Sequence, residues 1–102
     1  MVQIIENWSD LMGVVQAISP TANNKFIAIT IRVTSSVPVE GYAHLLDKVV
    51  GKEIEVLMPA NLIEEYKLTI GMIVQCRVRR ADIRRNFIHK GYLKVQITPE
   101  GI

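Results

Sequence analysis

Seven of the chain's twelve lysines and arginines fall within 18 residues, RVRRADIRRNFIHKGYLK at 77–94, against a single acid, Asp82. Guanidinium groups present planar, paired donors that match phosphate oxygens, and ammonium groups act as point charges toward the same partner. Phe87 and Tyr92 stand among these cations, and flat rings interleaved with positive charge suit an unpaired nucleic-acid strand, whose bases stack while its phosphates are tracked. The same run also suits the solvated side of a hairpin, because Lys and Arg on an outer face oppose edge-to-edge aggregation. Seven like charges held close repel one another, and a surface serving solubility alone mixes signs, so the composition favours an anionic ligand.

The rest of the chain is charged differently. Residues 1–76 carry five Lys/Arg against eight Asp/Glu, whereas residues 77–102 carry seven against two, within a net charge of only +2. Anions are therefore drawn to the C-terminal part.

Other chemistries find little support. His44 and His89 are 45 residues apart, and Cys76 alternates with Val74 and Val78 as a small core residue does, so no metal site and no cofactor is expected. G-x-S-x-G, H-E-x-x-H and phosphate-cradling glycine loops are absent, and no acid, base and nucleophile converge, which argues against an enzyme. Glu53 and Glu55 share the outward side of one strand, as solvated faces commonly do. The start, MVQIIENWSDLMG, lacks the basic and apolar regions of a secretory signal. No apolar run approaches the roughly 18 residues of a membrane span, and the lone cysteine has no partner within the chain. The expectation is a soluble cytoplasmic protein without membrane contact.

Which elements position the basic residues follows from periodicity. Ile27, Ile29, Ile31 and Val33 alternate with Phe26, Ala28, Thr30 and Arg32; Ile54, Val56 and Met58 alternate with Glu53, Glu55 and Leu57 until Pro59. Val74, Cys76 and Val78 oppose Ile73, Gln75, Arg77 and Arg79, and Leu93, Val95 and Ile97 oppose Tyr92, Lys94 and Gln96. A less regular strand, LMGVVQAIS, carries Gly13 as a bend or bulge. Asn61 with Glu64 forms a capping-box-like start to a short helix ended near Gly71, and YAHLLDKVV offers a second helical turn. Gly51, Gly71 and Gly91 each precede a strand and read as turn residues.

Length, about half apolar composition and this order give one domain over 1–102, with a core at about 11–97. It is all-β with one or two short helices, in the order strand, strand, strand, helix, strand, strand. Together with LTIGMIVQCRV, where a short helix passes through glycine into an alternating strand, this resembles the OB-fold, a five-stranded Greek-key barrel with its helix between strands three and four. One departure is a long connection from about Thr34 to Lys52. The resemblance implies a ligand track over strands two and three, between SPTANNK and ADIRRNFIHKG, with Phe26, Thr30 and Arg32 as a platform. Glu53 and Glu55 would face phosphates on that track.

The resulting expectation is binding of single-stranded DNA or RNA. Arg77, Arg79, Arg84, Arg85, Lys90 and Lys94 would meet phosphate, with His89 and Arg32 beside them, and Phe87, Tyr92 and Phe26 would stack. No long basic helix suited to a major groove is present. The alternative is an assembly module, a homo-oligomer or the subunit of a complex, in which a partner protein covers Trp8, Leu57 and the final EGI.

Overall fold

Side chains alternate across a strand, so the β-branched runs each turn one apolar row inward. In the computed structural model, which describes residues 7–81 and 85–96 with the side chains of 89–92 and 96 left aside, these runs form β1 Ser9–Pro20, β2 Phe26–Pro38, β3 Glu53–Pro59, β4 Ile73–Arg80 and β5 Asn86–Gln96. Among the described residues there is one helix, α1 Ala60–Tyr66, between β3 and β4. The strands close into a barrel in the order β1-β2-β3-β5-β4. Neighbours are antiparallel except at the β3/β5 seam, where Leu57 pairs with Phe87 in parallel. This mixed, closed, five-stranded arrangement is consistent with an OB-like fold.

The inward rows meet as one core of Leu11, Val15, Ile29, Ile31, Val33, Val56, Met58, Val74, Cys76, Val78, Ile88 and Leu93. Burying each such aliphatic side chain contributes about 1.5–3 kcal/mol. Leu62 of α1 joins the core near the start of β2, where the Ala60 amide donates to the Lys25 carbonyl at 2.9 Å. Leu46, from the segment between β2 and β3, joins it near the start of β1.

β1 pairs with β2 along its length and with β4 over Ser9–Val14, so it serves two parts of the barrel. The register of β1 against β2 shifts between Met12 and Gly13. A Cβ on Gly13 would stand 2.6 Å from the Arg32 carbonyl oxygen, so the close approach of β2 requires glycine there.

Several local expectations are corrected. β2 runs to Pro38, so the connection to β3 starts later than Thr34. YAHLLDKVV forms separate turns and no helix. Long-range anchors hold it instead: the Trp8 amide donates to the Ala43 carbonyl at 3.2 Å, and His44 Nδ1 lies 2.8 Å from Ser9 Oγ. Asn61 does not cap α1. Pro59 occupies the cap position without a side-chain bond, and the first amide is met by the β1–β2 connection. The helix ends at Lys67, in left-handed geometry, with Lys67 and Leu68 amides returning to the Glu64 and Ile63 carbonyls as in a Schellman motif. Gly51 and Gly71 are turn residues with positive φ, whereas Gly91 lies inside β5. Among the described residues, no helix is long and apolar enough to cross a membrane.

Candidate nucleic-acid interface

Strand parity assigns an outer face. With Ile29 and Ile31, Val56 and Met58, Val78 and Ile88 all turned into the core, the outward positions are Phe26, Ala28, Thr30 and Arg32 on β2 and Glu53, Glu55 and Leu57 on β3. Phe87 on β5 and Arg79 on β4 face the same way.

At one end of this face the outward residues are apolar. The rings of Phe26 and Phe87 meet edge to face with centroids 5.9 Å apart, although their strands are separated by β3. Leu57 lies between them, paired with Ala28 on one side and Phe87 on the other. The two rings and Leu57 are half-buried and do not belong to the core, while Ala28 is buried. Arg79, exposed and without a carboxylate partner among the described residues, stands opposite Phe87 across the β4/β5 ladder.

β5 begins at Asn86, so Phe87 and Ile88 are strand residues and the expected loop ADIRRNFIHKG shortens to residues 81–85. The Ala81 amide closes it by donating to the Arg85 carbonyl at 2.8 Å. Between Cys76/Leu93 and Val78/Ile88, β5 advances five residues while β4 advances two. This bulge separates Lys94, which is exposed and opposite Gln75, from Arg79 and Phe87. The basic positions of β4 and β5 therefore do not form one continuous row.

Two of the expected phosphate contacts are engaged within the protein. Arg77 donates from Nε to Asp10 Oδ1 at 2.8 Å and from Nη2 to Oδ2 at 3.2 Å, a side-on pair between directly opposed positions of β4 and β1. Sequence separation hid this partner, which lies 67 residues away. Arg32 pairs with Glu53 across β2 and β3 at 3.7 Å, with both side chains at least half exposed. Arg85 is exposed on the short loop. Arg84 lies outside the described residues, as do the side chains of His89, Lys90 and Tyr92.

Three features were not anticipated. Asn86 is buried and its Nδ2 donates to the Glu55 carbonyl at 2.9 Å, bridging the β3/β5 seam beside Phe87. Its Oδ1 is buried without a hydrogen-bond partner. His44 lies between Ser9 Oγ and, at 3.5 Å from Nε2, Ser36 Oγ, which itself donates to the Leu46 carbonyl at 2.6 Å. That network ties the β2–β3 connection to the barrel. His44 is at its centre, and Ser9 at one end of it is fully buried.

Burial pushes the Cys76 thiol up to about 12, with the Asp10 carboxylate adding to the effect, in keeping with the core role expected of it. Trp8 and Leu57, expected as exposed apolar residues, are half-buried, and the final EGI lies outside the described residues. Among the described residues, no group of three His, Cys, Asp or Glu side chains is placed to hold a metal ion. No protein-family model matches the chain, and no curated protein matches it.

Proposed function

We propose that the chain is an OB-like barrel that binds single-stranded nucleic acid on the outer face formed where β2, β3, β5 and β4 adjoin. The observation that carries this reading is the meeting of Phe26 and Phe87 outside the core, beside the exposed Arg79. Rings buried for stability alone belong among the inward rows. Half-buried rings on an outer wall offer faces on which bases stack irrespective of sequence, and an adjacent guanidinium meets the phosphate that follows. Arg85 adds positive potential on the neighbouring loop. The roles first given to Arg77 and Arg32 pass to Arg79, because those two side chains are held by Asp10 and Glu53.

The test is a fluorescence titration of labelled oligonucleotides over a range of salt. Affinity falls with log[salt] at about 0.7 units of slope per neutralised phosphate on a single strand. F87A weakens binding by roughly 5- to 150-fold, the loss of one stacked base at about 1–3 kcal/mol, and R79A flattens the slope by about 0.7. Absence of binding by the parent protein at low salt overturns the reading. A second reading, self-association, draws on the exposed Val37, Tyr42, Val50 and Ile70. It requires a sedimentation coefficient that rises with protein concentration.

A further inference from the structure

The outer face of β2 and β3 changes character along its length. Beyond the apolar end, the cross-strand pairs are Thr30 with Glu55 and Arg32 with Glu53. One cation and two carboxylates leave this half at −1, with Arg32 already engaged by Glu53 and Glu55 exposed without an ion-pair partner among the described residues. A phosphate laid over Glu55 would meet a like charge, and one laid over Arg32 would have to displace Glu53. The opposite end carries the exposed Arg79, with no outward acid on β5 or β4 among the described residues. Phosphate is thus welcome on one half of the face and repelled from the other.

Resting on the nucleic-acid reading above, we propose that Glu53 and Glu55 form an electrostatic boundary that restricts the site to a short segment of about four nucleotides, the low end for barrels of this kind. From β2 at Phe26 to β4 at Arg79 the face crosses three inter-strand gaps of about 4.8 Å each. That width takes a few stacked bases, and the strand must leave past β4, since continuing down β3 brings it onto carboxylates. The ligand class is a short single-stranded stretch, such as a terminus or an isolated gap, instead of a long continuous strand.

Salt dependence tests this without confusion from the number of binding registers on a long oligonucleotide. Labelled single strands of about four and about sixteen nucleotides are titrated with the parent, with E55Q and with E53Q/E55Q. The exposed, near-isosteric replacements leave the fold intact, as circular dichroism verifies. The parent gives the same salt slope for both lengths. E53Q/E55Q steepens the slope for the long strand by about 0.7–1.4, one or two added phosphates, and leaves that for the short strand unchanged; E55Q gives part of this effect. A parent slope already steeper by more than about 0.7 for the long strand, or a double variant identical to the parent, overturns the boundary while nucleic-acid binding stands. Failure of every protein to bind either strand overturns the binding reading itself, and the boundary with it.

Discussion

Phe87 and Cys76 illustrate how neighbouring strands turn one residue onto the outer face and another into an inert core. Phe87 lies outside the core between Leu57 and Arg79, so its removal acts on binding as predicted above while leaving the inward rows undisturbed. Cys76 faces inward, and its thiol is raised from 9.0 to about 12 by burial first and the Asp10 carboxylate second. Because the folded thiol holds its proton to higher pH than the unfolded one, the associated stability is fully present below about pH 9 and is lost as pH rises toward about 12. Within that window the loss from this group approaches about 1.4 kcal/mol per pH unit. Denaturant unfolding across this range for parent and C76A measures it: the difference between the two proteins should shrink and then reverse as pH rises. Alkylating reagents should label Cys76 only after unfolding.

Among the elements, β1 is paired with both β2 and β4. Gly13 sits at its register shift, and a methyl group there would press on the Arg32 backbone, which cannot swing aside as a side chain would. G13A should therefore cost about 1–3 kcal/mol, measured as a lower denaturation midpoint with an unchanged slope. Four of the five strands were legible from runs with a period of two, and the less regular first strand, with its bulge at Gly13, from the glycine that interrupts its apolar run. The ends were not. β2 reaches Pro38 through the polar TSSVP, where pairing with β1 overrides weak local pattern. The start of α1 is set by a carbonyl from the β1–β2 connection, which no capping rule contains. The start of β5 was missed because its first residue, Asn86, is polar yet buried, its side chain bridging to β3. For the site, sequence placed Phe26, Phe87 and Arg79 together only through an assumed fold, and Asp10 as the partner of Arg77 was invisible without the β1/β4 register.

At the scale of the whole molecule, closure gives one wall two characters, aromatic and basic at one end and acidic further along. The C-terminal excess of positive charge is thereby reduced where Asp10 engages Arg77 and concentrated where Arg79 adjoins Phe87. Closure is completed at the end of β4 by a side chain. Asn7 donates from Nδ2 to the Arg80 carbonyl at 3.0 Å and accepts from the Arg80 amide on Oδ1 at 2.9 Å, so one carboxamide copies the two-way bonding of a strand residue. Loss of that carboxamide would leave the Arg80 peptide as an open socket, able to recruit the backbone of another molecule. N7A should thus form concentration-dependent dimers in sedimentation, where N7D, which keeps the acceptor alone, shows a weaker tendency. A single amide, fully buried, then stands between a sealed cylinder and one that pairs through its own rim.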